Sequence, residues 1–307
     1  MNFTTKIHRT PFLSDGGLET WMVFHEAIPL RDFAAFELVE SAAGREALRT
    51  YYRRFARIAQ RSGCGFLFES PTWRASPDWG ARLGYDPDRL AAVNRGAVEM
   101  LATLSSEFPH VPSILSGCVG PRGDGYEAHH RLQAGAAQAY HMPQVAALAM
   151  GGAEVISAIT MTHIGEAIGI ARAATALGLP SVISFTVETD GRLPDGSPLS
   201  AAIWAVDAAT GHAPAYYMVN CAHPTHFRPA FEAGADWLRR IGGLKANASH
   251  LSHAELDCAE VLDDGNPQEL AAHYAALRRI LPNLRVTSGC CGTDHRHLSA
   301  MAQAMAA

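Results

Sequence analysis

Short apolar segments rich in strand-forming residues alternate along the chain with longer stretches whose apolar residues recur at helical spacing. The predicted strands cover residues 11–14, 65–69, 112–116, 154–159, 181–187, 216–220, 237–244 and 284–288. The predicted helices cover residues 45–61, 87–108, 129–150, 164–177, 198–211, 267–280 and 294–305. Strand and helix alternating about eight times indicates an α/β fold in which parallel strands close into a single (β/α)8 TIM barrel.

An open doubly wound sheet is the main alternative to the barrel. Such a sheet normally carries a glycine-rich phosphate turn after its first strand, and Asp15-Gly16-Gly17-Leu18 lacks that spacing. No linker, low-complexity stretch or charge block divides the chain, so residues 1–307 are predicted to form one domain. The polar, histidine-rich stretch 246–265 is long for a connection, which is typical of a functional loop.

Composition and charge narrow the classes of function. The 48% hydrophobic content is enough for a large core, and the net charge of −5 provides no basic surface for nucleic acid or an anionic membrane. Residues 1–10 lack the apolar stretch of a secretory signal, and no apolar run reaches bilayer length. We therefore expect a cytoplasmic protein, whose cysteines more often bind metal or do chemistry than form disulfides.

Cysteines follow two of the predicted strands. Cys221 ends the segment 216–220, and the adjacent pair Cys290-Cys291 follows the segment 284–288. In a barrel, the carboxyl ends of the strands meet at the face that holds the active site. Three thiolates suit Zn²⁺, and three protein ligands leave a fourth position open, as in catalytic zinc sites. The alternatives are a buried core thiol for Cys221 and a disulfide within the adjacent pair.

Several motifs, in order along nearly the whole chain, resemble those of the zinc-dependent homocysteine S-methyltransferase family, which includes the betaine–homocysteine methyltransferases. They are Asp15-Gly16-Gly17-Leu18-Glu19-Thr20, Thr72-Trp73-Arg74-Ala75-Ser76, Gly117-Cys118-Val119-Gly120-Pro121, His163-Ile164-Gly165-Glu166-Ala167, Ser184-Phe185-Thr186-Val187-Glu188, Val219-Asn220-Cys221 and Gly289-Cys290-Cys291-Gly292-Thr293.

The resemblance implies a barrel with zinc held by Cys221, Cys290 and Cys291. It also implies an acceptor thiol, homocysteine or a relative, whose zinc-bound thiolate takes a methyl group from an onium donor. S-methylmethionine is the first candidate donor, before betaine-like compounds and a folate, and methionine biosynthesis would be the outcome. Asp15 corresponds to the family acid that binds the amino group of homocysteine. The expected substrate-binding residues are Asp15, Gly16, Gly17, Trp73, Arg74, Thr160, Glu188 and Asn220.

Two positions depart from the family pattern. Ile159 stands where the family usually has a glutamate that holds the substrate amino group, and Arg74 stands where the betaine branch has an aromatic residue. The first departure leaves open a different acceptor thiol or a homologue that binds zinc or thiols without catalysis. A third hypothesis is a Schiff-base lyase that uses Lys245. The sequence does not decide the methyl donor or the assembly state, and a homo-oligomer is compatible with it.

Overall fold

Eight parallel strands form a closed barrel in chain order, with the last strand paired to the first. The computed structural model describes residues 2–128, 131–232 and 234–306. The strands are β1 (Phe12–Leu13), β2 (Gly65–Glu69), β3 (Ser113–Val119), β4 (Val155–Met161), β5 (Ser181–Thr186), β6 (Pro214–Asn220), β7 (Ile241–Ala246) and β8 (Val286–Gly289). The predicted (β/α)8 barrel is therefore confirmed.

Helices connect the strands and surround the barrel. The α-helices are α1 (Phe3–Arg9), α2 (Leu18–Phe24), α3 (Ala42–Arg61), α4 (Pro77–Arg82), α5 (Pro87–Ser105), α6 (Ala134–Met150), α7 (Ile164–Ala176), α8 (Leu199–Thr210), α9 (Pro224–Phe227), α10 (His253–Asp257), α11 (Pro267–Arg278) and α12 (His295–Ala306). None of the helices in the described part of the chain combines the length and apolar character needed to cross a bilayer.

Most predicted elements lie within a few residues of the observed ones, and the differences are local. The strand predicted over residues 237–244 is shifted, because Asp236–Arg240 forms a 3-10 helix and β7 begins only at Ile241. The helix predicted from residue 129 begins at Ala134, and residues 129–130 lie outside the described part of the chain. The polar stretch 246–265 contains the short helix α10.

The interior of the barrel is apolar at the amino ends of its strands. Phe12, Leu67 and Ile114 belong to one buried cluster with Phe3 and Ile7 of α1. Because α1 carries two residues of this cluster, it packs against the amino end of the barrel. A second, larger cluster fills the space between the strands and the surrounding helices. The inner apolar cluster therefore lies at the amino end of the barrel interior, away from the carboxyl ends of the strands.

The two-residue period of a strand determines which side chains enter the barrel. On β2, Phe66 and Phe68 belong to the outer cluster, whereas Leu67 belongs to the inner one. Glu69 continues the inward row of Leu67 at the carboxyl end of β2. On β7, Leu244 belongs to the outer cluster, so its neighbour Lys245 continues an inward row. Two strands therefore deliver a charged side chain to the same end of the barrel.

A buried ion pair joins α8 to the strands beneath it. The Arg240 guanidinium donates to both carboxylate oxygens of Asp207, with Nε–Oδ2 and Nη2–Oδ1 distances of 2.7 and 2.8 Å. Tyr217 on β6 donates its hydroxyl to Asp207 Oδ1 at 2.8 Å. The Asp207 side chain is 1% exposed, so its carboxylate is satisfied by these partners within the protein. This carboxylate therefore fixes α8 relative to β6.

We expect Asp207→Ala to lower the free energy of unfolding by about 2–4 kcal/mol, because it leaves the partly buried Arg240 without its carboxylate. Urea denaturation measures the effect. Asp236→Ala is the matched control, since Asp236 is 89% exposed and 3.9 Å from its arginine partner. The control should change the free energy of unfolding by less than about 0.5 kcal/mol. Equal effects of the two substitutions would contradict this account of Asp207.

Candidate metal centre

Three cysteine sulfurs converge at the carboxyl end of the barrel. The Sγ atoms of Cys221, Cys290 and Cys291 all lie within 4.8 Å of one another. Cys221 follows β6 directly and the adjacent pair follows β8, so the two strand ends expected to meet do so. Within the described ranges this is the only group of three or more histidine, cysteine or acidic side chains that could hold a metal ion.

Two of these cysteines are paired in the structure. Cys221 and Cys290 form a disulfide, with Cα atoms 5.5 Å apart, a spacing that a disulfide readily spans. The sequence predicts free thiols here, with a disulfide within the pair Cys290-Cys291 as the alternative, and the structure differs from both. The reason for the difference is the close approach of the two strand ends. Thiolates are the metal-binding form of cysteine, so the disulfide must be reduced before these residues can ligate an ion.

Cys291 keeps a free thiol in a partly buried position. Burial raises the pKa of this thiol to about 11, so the metal-free thiol is protonated at neutral pH. The hydroxyl of Tyr126 lies 3.8 Å from the Cys291 sulfur, and the Tyr126 ring stacks on His253 with ring centroids 4.1 Å apart. An aromatic side chain therefore lies directly against the sulfur cluster.

The backbone conformation of Cys221 turns its side chain into the site. Val219 packs in the outer cluster, so strand alternation would place Cys221 on the same outer side. Instead, Cys221 has a φ of 52°, in the left-handed region, and it lines the central pocket. Its N–H donates to the Lys245 carbonyl at 3.2 Å, and its carbonyl accepts from His253 Nε2 at 2.5 Å. These two hydrogen bonds hold the ligand-bearing backbone in a conformation that costs free energy.

Gly16 and Gly17 allow the start of α2 to lie against the loop that carries the cysteine pair. A Cβ on Gly17 would lie 2.7 Å from the Cys290 carbonyl oxygen, and one on Gly16 would lie 2.6 Å from that of Thr293. Any side chain here would push this loop away from the barrel. Gly17 also donates its N–H to the Thr293 carbonyl at 3.0 Å. Both glycines line the pocket.

The sulfur cluster opens into a pocket at the centre of the barrel end. Besides the three cysteines and the two glycines, its walls contain charged and apolar side chains. They include Asp15, Glu19, Glu69, Lys245, Tyr52, Trp73, Tyr126, Cys118, Ile159 and Thr160. The pocket thus combines metal-binding sulfur, aromatic faces and an acid–lysine cluster.

Lys245 forms ion pairs with two acids inside the pocket. Its Nζ lies 2.7 Å from Asp15 Oδ1 and 3.3 Å from Glu69 Oε2, and the three side chains are at most 10% exposed. Burial alone would lower the pKa of Lys245, but the carboxylates of Asp15 and Glu69 outweigh it and raise this pKa above its usual value. A protonated amine has no lone pair for attack on a carbonyl, so the site gives no support to the Schiff-base hypothesis. Sequence reasoning missed Glu69, although its inward position at the end of β2 could have identified it.

Asn220 supports the pocket wall rather than lining it. Thr160 has a φ of 65°, which is strained for a β-branched residue, and the pairing of β4 with β5 shifts register at this point. The Asn220 side chain accepts from the Thr160 N–H at 2.9 Å and from Ser184 Oγ at 2.6 Å, and it donates to Thr160 Oγ1 at 2.8 Å. Asn220 thereby fixes the conformation that places Ile159 and Thr160 in the pocket wall.

Besides Asn220, two further residues of the expected substrate-binding set lie outside the pocket lining, Glu188 and Arg74. Glu188 is 39% exposed on its side chain and lies 3.3 Å from His253 Nδ1. Arg74 is 13% exposed and stacks over the rings of Trp73 and Trp79, with its Cζ 4.7 and 3.8 Å from the ring centroids. Trp73 does line the pocket. The structure therefore places Trp73, but neither Glu188 nor Arg74, where a substrate in the pocket would touch it.

Removing the Asn220 side chain leaves buried polar groups without partners. We expect Asn220→Ala to lower the free energy of unfolding by about 2–4 kcal/mol. In a Thr160→Gly background the loss should be smaller, because glycine adopts the left-handed conformation without strain. Urea denaturation of the two single variants and the double variant measures this coupling. Additive changes in the free energy of unfolding would contradict the role of Asn220 in stabilising the left-handed conformation of Thr160.

Glu19 is a second pocket acid that the expected site set lacked, and it gives the stability a pH dependence. Burial raises its pKa from 4.5 to about 7, so the folded protein keeps a proton that the unfolded chain has already lost. The contribution of Glu19 to stability therefore falls as the pH rises from about 4.5 to 7.

The metal-free Glu19→Gln variant should therefore become progressively more stable than the wild type as the pH rises from about 4.5 to 7. At pH 8 its free energy of unfolding should still exceed that of the wild type. Urea denaturation at several pH values measures the difference. Glu99→Gln, at an exposed position, is the control and should follow the wild type. If the free energies of unfolding of the wild type and of Glu19→Gln change with pH in parallel, the raised pKa of Glu19 is contradicted.

Comparisons with known proteins agree with this fold. A family model described as homocysteine S-methyltransferase matches residues 12–305. The homocysteine S-methyltransferase of Escherichia coli K12 is 29% identical over 167 residues, which are 50% of this chain and 51% of the relative. The aligned part thus spans about half the length of this curated relative.

Two solved structures of the homocysteine methyltransferase MmuM from Escherichia coli are similar. The oxidised form has 20% identity and a TM-score of 0.75, covering 95% of this chain and 94% of that chain. The metallated form has 21% identity and a TM-score of 0.74, with 98% of each chain covered. At these identities, the structures show a shared fold. Because the family model extends over nearly the whole sequence, the chain belongs to the homocysteine S-methyltransferase family.

Proposed function

We propose that this protein is a zinc-dependent S-methyltransferase that moves a methyl group from an onium donor to the thiolate of homocysteine or a related thiol. The observation that carries the proposal is the convergence of Cys221, Cys290 and Cys291 on one point in the pocket wall. Family membership supports the same reaction type. With homocysteine as the acceptor, the product would be methionine.

The three cysteines fit a catalytic zinc ion. Zn²⁺ favours thiolate ligands, and three protein ligands leave one position for the acceptor sulfur. When bound there, zinc would supply the positive charge that keeps the acceptor thiol deprotonated at neutral pH. Cys221, Cys290 and Cys291 would hold the ion, and the left-handed backbone at Cys221 aims the first of them into the pocket. We infer a cytoplasmic location, because a reducing compartment keeps these cysteines as thiols.

The remaining residues of the pocket would bind and align the two substrates. The acceptor sulfur contributes an electron pair to a new bond with the donor methyl carbon. The bond from that carbon to the donor's onium atom breaks, and its electron pair stays on the donor, which leaves uncharged at that atom. Trp73 and Tyr126 line the pocket and present aromatic faces that attract an onium group. A sulfonium such as S-methylmethionine is our first choice of donor, and a betaine-like ammonium compound is the second.

The experiment measures zinc content and methyl transfer on the same reduced samples. We expect Cys221→Ser, Cys290→Ser and Cys291→Ser each to lose bound zinc and at least about 100-fold in methyl transfer, since each removes a metal ligand. Donors are screened as S-methylmethionine, glycine betaine and a methylfolate, each with two acceptors, homocysteine and 4-mercaptobutanoate.

Cys64→Ser and Cys258→Ser are the matched controls, because both residues are free cysteines outside the pocket lining. They should keep wild-type zinc content and turnover. Full zinc and turnover in any variant of the three site cysteines would contradict the ligand assignment. Zinc binding without methyl transfer from any donor would favour a thiol-binding protein that is not an enzyme.

A further inference from the structure

We propose that the acceptor in this pocket is a thiol without an amino group, because Lys245 supplies the ammonium that pairs with Asp15 and Glu69. This inference rests on the proposed function and names the class of acceptor for that same site. Lys245 would then be a specificity-determining residue for the transfer reaction. It acts by occupying the acids that an ammonium-bearing thiol would need.

The Lys245 side chain reaches across the barrel end to form these contacts. It rises from β7, whereas Glu69 ends β2, and β8 and β1 separate these two strands in the barrel. Its Nζ lies 2.7 Å from Asp15 Oδ1 and 3.3 Å from Glu69 Oε2. The side chains of Lys245, Asp15 and Glu69 are 9%, 5% and 10% exposed. The ammonium is therefore held inside the pocket rather than in solvent.

The rest of the pocket wall offers little to a second ammonium group. Ile159, on the β4 segment of the wall, is apolar. The indole N–H of Trp73 donates to the Ile159 carbonyl at 3.2 Å, so even this polar group is a donor and already engaged. Glu19 is the other acid in the lining, and burial disfavours its charged form, so a carboxylate at Glu19 is costlier to pair with an ammonium than a solvated one would be.

Binding an amino-bearing thiol would require an exchange. The incoming ammonium could pair with Asp15 or Glu69 only by displacing Lys245, and a buried lysine without its partners carries a large penalty. At best, the free energy that the ligand ammonium gains from the carboxylates equals the free energy that Lys245 loses when it leaves them. A thiol without the amino group needs no such exchange, so the ion pairs within the protein select against the amino-bearing thiol.

The test uses two thiols that differ only in the amino group, homocysteine and 4-mercaptobutanoate. Their binding to reduced, zinc-loaded protein is measured by titration calorimetry, which does not depend on turnover. We expect the wild type to bind 4-mercaptobutanoate at least about tenfold more tightly than homocysteine. Lys245→Met frees two carboxylates for an ammonium, so it should shift this ratio towards homocysteine by at least about tenfold.

Lys6→Met is the matched control. Lys6 is the only other lysine of the chain, and its Nζ pairs with Glu154 at 2.6 Å outside the pocket lining. It should leave the ratio of the two affinities at the wild-type value. If Lys245→Met does not fold, the double variant Glu69→Gln/Lys245→Met removes one of the unpaired acids and should show the same shift towards homocysteine.

The outcomes separate this inference from the proposed function. Tighter binding of homocysteine by the wild type, or an unchanged ratio in both Lys245 variants, would overturn the inference while leaving zinc-dependent methyl transfer intact. If homocysteine binding is then lost in Glu19→Gln, Glu19 is the partner of the ammonium instead of the Asp15–Glu69 pair. Binding of neither thiol to zinc-loaded protein would overturn the proposed function and this inference with it.

Discussion

Closure of the parallel barrel is the constraint on which the site depends. Cys221 and Cys290 stand 69 residues apart in sequence, and the strand order places the carboxyl ends of β6 and β8 on either side of β7, while closure of β8 onto β1 brings Asp15 to the same place. The segment after β1 then packs against the loop after β8. Gly16 and Gly17 allow this contact, because a side chain at either position would clash with that loop. The left-handed conformation at Cys221 completes the arrangement by turning its sulfur inward.

The two ends of the barrel interior have different roles. At the amino end, apolar side chains and α1 form a packed cluster that stabilises the strands. At the carboxyl end, the same inward rows end in Glu69 and Lys245, and the Lys245 ammonium pairs with both Glu69 and Asp15. Buried charges of this kind contribute little to net stability even when paired, so their presence is better explained by what the pocket binds. The strained Thr160, held by Asn220, fits the same explanation.

Much of the fold followed from the sequence because the relevant signals are local. Alternating strand and helix patterns predicted the barrel, and cysteines directly after two strands predicted the sulfur cluster. The position of β7 was less accurate, since the apolar residues of Asp236–Arg240 resemble a strand but form a 3-10 helix. The contacts of Lys245 lie far apart in sequence, and no local pattern indicates that its ammonium spans the barrel to reach Asp15 and Glu69. For the same reason, the pairing of Cys221 with Cys290 was not foreseen.

X-ray absorption at the zinc edge of the reduced, zinc-loaded protein counts the sulfur atoms bound to the ion, so it shows whether three cysteines hold zinc and leave one position open. We predict three sulfur ligands at about 2.3 Å without an acceptor, and four when 4-mercaptobutanoate or homocysteine is bound. Fewer than three sulfur ligands, or a count that neither thiol changes, would contradict this prediction.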